Sequence, residues 1–304
     1  MITINTDKGL VKVSSWEEIV ERAGFTDNLN PKEHELRAII GRYMFGDKVR
    51  CGLSDCHTPH TRGYLVATKG GRETNIGKDC GSKYFGVDFE DQARQFDRDL
   101  AAKDNRELLW SVRFGLDELE GKIAVLRAGN DGADWVHKNA SALQNPAKVP
   151  VEITRKFADF VKQKSGRLTS QRMATQQEIE NLETLQGRRL QQPHYLDEAV
   201  AEVRGIEALY SENSLQQLLA VKLEENIKVF KSKNIDTLSA KDLTYWSKWS
   251  QSIAQTLEAA RDAVGHGRAL LTRKNLRPLL EYGGLAKQED SERFTAFLAT
   301  LPAQ

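Results

Sequence analysis

Three cysteines and two histidines lie within a stretch of thirty residues near the start of this 304-residue chain. They are Cys51, Cys56, His57, His60 and Cys80, and the chain contains no other cysteine. Structural zinc sites take four soft or borderline ligands in a tetrahedron, and three thiolates with one imidazole are a common set. Their types and spacing therefore predict a structural zinc ion in this segment.

Two histidines compete for the fourth position. We favour His60, because the residues between it and Cys56 leave room for a turn that Pro59 stiffens. His57 follows Cys56 directly, so both would bind one ion only awkwardly. Cys80 is expected at the start of a short helix, where the helix dipole favours a thiolate. The predicted ligands are Cys51, Cys56, His60 and Cys80, with His57 as the alternative to His60.

Other chemistries are less favoured by the sequence. A catalytic zinc would use three protein ligands and a water, but no Glu or His beside the cysteines is an obvious base; Glu73 is the nearest candidate. Redox chemistry lacks a Cys-x-x-Cys pair. No Ser-His-Asp or Cys-His-Asn arrangement is evident elsewhere. The sequence therefore favours a binding protein over an enzyme.

The elements around the cysteines follow a recognisable order. Residues 63–68 are strand-like, 69–71 have turn chemistry, and 72–76 can return as a second strand before Cys80. A knuckle, a hairpin and then a ligand at a helix start resemble a treble-clef zinc finger over residues 48–87. Treble clefs commonly take two ligands from the final helix, whereas only Cys80 is present here, so a loop histidine is needed. The wider stretch 15–89 also resembles small uncharacterised proteins of bacteria and their phages.

Positive charge is concentrated in this module. Between Lys48 and Tyr84 there are seven Lys or Arg residues against three acids, in a chain whose net charge is +1. Backbone N–H groups at a helix start can also bind phosphate. The aromatic residues Tyr64, Tyr84 and Phe85 could stack on bases, but we expect them to fill the small core. The candidate nucleic-acid-binding residues are Arg62, Lys69, Arg72, Lys78 and Lys83.

The rest of the chain is predicted to be mostly helical. Apolar residues recur at spacings of three and four from residue 88 onward, without the sustained heptad of a long coiled coil. The fold class is therefore mainly α, with a small zinc-bound β-hairpin module followed by an elongated helical bundle or helical hairpins. The predicted organisation is an N-terminal domain (1–87) containing the zinc module (48–87), a long connecting helix (88–127), a linker (128–150) and a helical C-terminal domain (151–304).

Individual elements can also be assigned. Residues 2–13 favour a hairpin about 7–9, and Ser15 with Glu18 has the spacing of a capping box. Asn30 and Pro31 predict a helix that ends near Gly46, and a later helix is predicted from Tyr195 to Leu209. The short helix over residues 79–85, which contains Cys80, is expected to close at Gly86.

Three functional hypotheses follow. The first is a non-enzymatic zinc protein that contacts nucleic acid through the basic hairpin, with the helical region supplying either homodimerisation or a partner surface. The second is a protein-interaction adaptor, such as a phage or mobile-element modulator of a host machine, in which zinc is only structural. The third is a zinc-dependent nuclease. Because no run of about 20 apolar residues and no secretory signal is present, we expect a cytoplasmic protein with no membrane partner.

Overall fold

The computed structural model describes residues 1–7 and 9–304. The protein is mainly helical, with a small antiparallel sheet near the N-terminus, as the sequence predicts in coarse terms. The chain divides into two compact units: Met1–Ser111 with Ile235–Ser247, and Val112–Asn234 with Lys248–Gln304. None of the described helices is both long and apolar enough to cross a membrane.

The sheet of the first unit has five antiparallel strands in the order β2-β1-β3-β4-β5. Its strands are β1 (Ile2–Thr6), β2 (Gly9–Val13), β3 (Leu36–Arg50), β4 (Pro59–Thr68) and β5 (Glu73–Ile76). The N-terminal hairpin and the hairpin between β4 and β5 are both confirmed. A single helical turn, α1 (Glu17–Val20), follows β2, and the Glu18 N–H donates to Ser15 Oγ at 3.4 Å.

The helix predicted from Pro31 is wrong, because this segment forms a turn and then the long strand β3. The Asn30 side chain accepts a hydrogen bond from the Lys32 N–H at 3.1 Å, which closes a local turn. Within β3, Ile39, Gly41 and Tyr43 are buried at every second position. These residues can be read at either helical or strand spacing, and pairing with β1 and β4 selects the strand.

A long helix, α2 (Lys78–Phe114), follows β5 directly and bends at Gly86, where φ is 61°. This confirms the predicted close at Gly86. The bend brings Phe89 back onto the first turn, so that a Cβ on Gly81 would lie 2.2 Å from the Phe89 ring. The turn that carries Cys80 is therefore packed against the buried core of the unit, which contains Ile39, Val66, Ile76 and Phe89.

The second unit holds most of the remaining elements. Its helices are α3 (Leu116–Arg127), α4 (Ala133–Leu143), α5 (Val151–Gln163), α6 (Gln176–Gln186), α7 (Asn226–Lys231), most of α8 (Ala240–Leu270), α9 (Arg273–Leu276), α10 (Leu279–Tyr282) and α11 (Gln288–Ala299). A π-helical segment, Gln216–Glu225, precedes α7. Two strands, β6 (Arg167–Met173) and β7 (Tyr195–Glu202), pair antiparallel.

Two segments of this unit differ from the sequence-based assignment. The predicted linker 128–150 contains α4, whose buried residues Ala133, Val136, Ala140 and Leu143 follow helical spacing. The helix predicted from Tyr195 is wrong, because residues 195–202 form β7. Its hydrogen bonds go to β6, for which the sequence predicts no strand either, so its partner could not be anticipated.

Candidate metal centre and basic cleft

The three cysteine sulfur atoms come together in the first unit. The Sγ atoms of Cys51, Cys56 and Cys80 all lie within 4.8 Å of one another, and those of Cys56 and Cys80 are 3.1 Å apart. Cys51 is buried and the other two are half-buried. Three thiols in this arrangement can bind a metal ion. The cluster thus joins the connection between β3 and β4 to the first turn of α2.

Backbone hydrogen bonds hold the connection between β3 and β4 in a tight turn. The Cys51 N–H donates to Thr58 O at 3.2 Å, and the Cys56 N–H donates to Leu53 O at 3.1 Å. Gly52 lies so close to β5 that a Cβ there would be 2.1 Å from Thr74 Oγ1. The turn is therefore held against the sheet, which positions two of the three thiols.

The three thiols differ in pKa. Burial raises the pKa of Cys51, and burial together with hydrogen bonding to Cys56 raises the pKa of Cys80 to about 12. Burial also acts to raise the pKa of Cys56, but hydrogen bonds from Thr58 and the neighbouring thiols lower it to about 7. The cluster therefore holds its first thiolate at Cys56. Because metal binding displaces the remaining protons, we expect affinity to fall as the pH falls.

His60 is engaged away from the sulfurs. Its Nδ1 donates to Thr58 O at 3.0 Å, and its Nε2 accepts a hydrogen bond from the Tyr43 hydroxyl. Tyr43 in turn accepts from the buried Asn75 amide at 3.2 Å. Burial raises the pKa of Tyr43, which keeps this hydroxyl protonated as a donor. Both ring nitrogens of His60 are therefore occupied by hydrogen bonds within the sheet.

His57 is oriented differently. Its backbone has a left-handed conformation, with φ at 54°, and its Nδ1 donates to Cys51 O at 3.1 Å. The lone pair is thus on Nε2, and a backbone carbonyl fixes the ring, as is usual for metal-binding histidines. Within the described part of the chain, neither histidine places a ring nitrogen within 4.8 Å of all three sulfurs. The identity of the fourth ligand remains a prediction.

The five predicted nucleic-acid-binding residues occupy different places. Arg62 and Lys78 line one cleft. Lys69 and Arg72 belong to the turn between β4 and β5, and Lys69 forms an ion pair with Glu35. Arg62 and Lys69 are seven positions apart along β4 and the residue that follows it, which corresponds to roughly 23 Å of extended chain. The fifth residue, Lys83, lies on α2 with its Nζ 5.1 Å from the centre of the Tyr84 ring.

The cleft that contains Arg62 and Lys78 has a volume of about 600 Å³ and reaches Cys80. Its walls come from β3, β4 and the first turn of α2. We call it the basic cleft and define it by four cations in its lining: Arg42, Lys48, Arg62 and Lys78. Two of these, Arg42 and Lys48, were not predicted from the sequence, because they lie on the segment assigned to a helix or outside the hairpin.

Two carboxylates also line the basic cleft, Asp79 and Asp97. Asp97 is neutralised within the protein, since Arg42 pairs with it at 3.2 Å and the Tyr64 hydroxyl donates to it at 2.8 Å. The other three cations, Lys48, Arg62 and Lys78, are exposed and form no ion pair with any described residue. The cleft therefore offers free positive charge to a ligand.

The aromatic residues near the cleft belong to the core, as expected for Tyr64. Tyr64 is buried and packs edge-to-face on Phe89, with ring centres 5.5 Å apart. Tyr84 and Phe85 are half-buried and pack against the same core. An aromatic stacking platform for bases is thus not formed by these three residues.

Comparison with protein-family models, curated proteins and solved structures finds no match to this chain. The resemblance to a treble-clef zinc finger therefore stays a prediction.

Proposed function

We propose that this protein binds the phosphate backbone of nucleic acid in the basic cleft, next to a structural zinc ion. The observation that carries the proposal is the convergence of three unpaired cations, Lys48, Arg62 and Lys78, from three elements on one cleft. Cations spread over a concave surface suit a chain of phosphates better than a single anion. Because the proposed contacts are to phosphates, which carry no sequence information, recognition is expected to be independent of base sequence.

Zinc fits the cysteine cluster on chemical and geometric grounds. Thiolates favour soft or borderline metals. With Zn–S bonds of about 2.3 Å, tetrahedral ligands lie roughly 3.8 Å apart, and the observed sulfur separations run from 3.1 Å to at most 4.8 Å. We propose His57 as the fourth ligand rather than His60, because the nitrogens of His60 are both hydrogen-bonded in the sheet. When bound, zinc would hold the β3–β4 turn and the start of α2 together.

Nucleic-acid binding is tested with labelled duplex and single-stranded oligonucleotides of several sequences over a series of salt concentrations. We expect affinity that falls with salt and varies little with sequence. The double variant Arg62→Ala/Lys78→Ala should lose roughly tenfold in affinity, and the slope against log salt should fall by roughly 1.5, since each phosphate contact contributes about 0.7–0.9.

A matched control is available at the other end of the hairpin. Lys69→Ala/Arg72→Ala removes the same charge and should leave binding nearly unchanged. Zinc content and circular dichroism confirm that both variants are folded. No binding at low salt, or equal losses in the two variants, would contradict binding at the basic cleft.

The metal proposal has its own test. Purified protein should contain near-stoichiometric zinc, and Cys80→Ser should lose it. Competition with a chromophoric chelator should show at least tenfold weaker zinc affinity for His57→Ala, while His60→Gln keeps the affinity of the unmodified chain. If His60→Gln has the larger effect, the ligand assignment is wrong. If Cys80→Ser retains full zinc, the site is wrong.

A further inference from the structure

A groove in the second unit has a pattern of charges that complements itself. It lies between α3 and α8 and has a volume of about 460 Å³. Its apolar lining comes from Val112, Leu119, Ile253, Ala254 and Leu257. An ion pair borders each side: Glu118 with Lys122 at 2.6 Å on α3, and Glu258 with Arg261 at 3.0 Å on α8. The groove is thus apolar inside and charged along both edges.

Two large apolar side chains that are not part of the groove lining are exposed close in sequence to its Glu118–Lys122 edge. Phe114, at the end of α2, is 81% exposed, and Val125 of α3 is 79% exposed. Phe114, Glu118, Lys122 and Val125 follow one another at spacings of four, four and three, which places the last three along one face of α3, with Phe114 just before its N-cap Gly115. The order along the chain is apolar, acidic, basic, apolar. Read against a reversed copy of itself, this order places acid opposite base and apolar opposite apolar.

Gly121 lies within α3, one residue from the midpoint of the Glu118–Lys122 pair. Glycine within a helix costs about 1 kcal/mol relative to alanine. In the region that the structure describes, no atom lies within 4 Å of a Cβ built on Gly121, so packing inside the chain does not require glycine there. A second helix that approaches closely at this point would require it.

We propose that α3 packs antiparallel against α3 of a second copy of this chain, along the edge of the groove that Glu118 and Lys122 form. The two-fold axis passes near Gly121, and Glu118 of each copy faces Lys122 of the other. Phe114 of each copy faces Val125 of the other. A two-fold contact uses the same surface on both copies, which is what the reversible order of charges provides. This inference is independent of the proposed function of the basic cleft.

Charge reversal on the full chain tests this arrangement. Sedimentation over a concentration series should give twice the 34.2 kDa mass of the chain for the unmodified protein. Glu118→Lys alone, or Lys122→Glu alone, places like charges together at two symmetric contacts, and we expect each to weaken dimerisation roughly tenfold. An equimolar mixture of the two variants should dimerise again, because every charged contact in the mixed dimer is then between opposite charges.

Dimerisation of the mixture would also show that both variants are folded. Gly121→Leu should abolish the dimer by keeping the helices apart, whereas Asp91→Lys, which disrupts an exposed ion pair on α2, should leave it unchanged. The proposal is overturned if the unmodified protein is monomeric. This includes the case in which a different protein, rather than a second copy, binds at this groove. Dimers that persist in both single variants overturn it as well, as does a mixture that stays monomeric.

Discussion

Gly81 follows Cys80, and its Cα faces the ring of Phe89. Helix propensity alone predicts that Gly81→Ala is stabilising. The structure predicts the opposite, because the added methyl group would lie 2.2 Å from a buried ring. We expect a loss of about 1–3 kcal/mol in the free energy of unfolding, the usual cost of overpacking a core, measured by urea denaturation of the zinc-loaded protein.

Gly265 of α8 is the matched control for this substitution. It is also a helical glycine, but no described atom lies within 4 Å of its added Cβ. Gly265→Ala should therefore stabilise by about 0.5–1 kcal/mol. If both substitutions stabilise the protein, the packing of Phe89 on Gly81 is not as described here.

At the scale of a single element, α6 begins with a capping box that is tied to the adjacent strand. The Thr175 side chain accepts from the Glu178 N–H, and Arg172 of β6 holds the Glu178 carboxylate with two hydrogen bonds of 2.8 and 2.6 Å. The Arg172 hydrogen bond, followed by those from Thr175, lowers the pKa of Glu178 to about 2. A lowered pKa in the folded state means that this contribution to stability is present above the ordinary value of 4.5 and is lost as the pH falls toward 2.

Arg172→Ala should raise the pKa of Glu178 toward its ordinary value. Carbon-detected NMR titration of the carboxyl group measures this directly. Arg167→Ala, a substitution on the same strand, serves as the control and should leave the titration unchanged. A Glu178 pKa that does not respond to Arg172→Ala would refute the pairing of β6 with the start of α6.

The individual strands also show how much of the fold could be predicted from the sequence. The hairpin of β4 and β5 was predictable, because its glycine turn and its strand residues are adjacent in the chain. The strands β3 and β7 were not, since each is stabilised by hydrogen bonds to a segment whose own assignment was uncertain or different. Local patterns report propensity, whereas pairing is a property of two distant segments.

Part of the candidate site could likewise be predicted from the sequence, and part of it could not. The meeting of Cys51, Cys56 and Cys80 followed from residue type and spacing, because few other arrangements explain three clustered cysteines. The placement of His60 did not, since its bonds to Thr58 and Tyr43 depend on the register of β3 with β4. The basic cleft also depends on that register, which brings Arg42 and Lys48 beside Arg62.

For the molecule as a whole, removal of the metal should destabilise some regions more than others. Two buried clusters lie in the described part of the first unit. One contains Cys51 and packs against Cys56 and Cys80, and the other, around Ile2 and Tyr43, contains none of the cysteines. Metal binding contributes roughly 10–16 kcal/mol in small zinc peptides, but here the sheet supplies a core of its own. Removal should therefore loosen the unit locally rather than unfold it.

Hydrogen exchange with and without a zinc chelator tests this gradation. After chelation we expect amides of residues 51–56 and of the first turns of α2 to exchange at least roughly tenfold faster, as local opening becomes easier. Amides of β1 should change little, and those of α5 and α11 in the second unit should not change. The Cys80→Ser variant should reproduce the chelated pattern without chelator. Equal acceleration in both units would mean that the metal stabilises the whole chain. No acceleration around residues 51–56 would mean that the cysteines do not hold a structural ion.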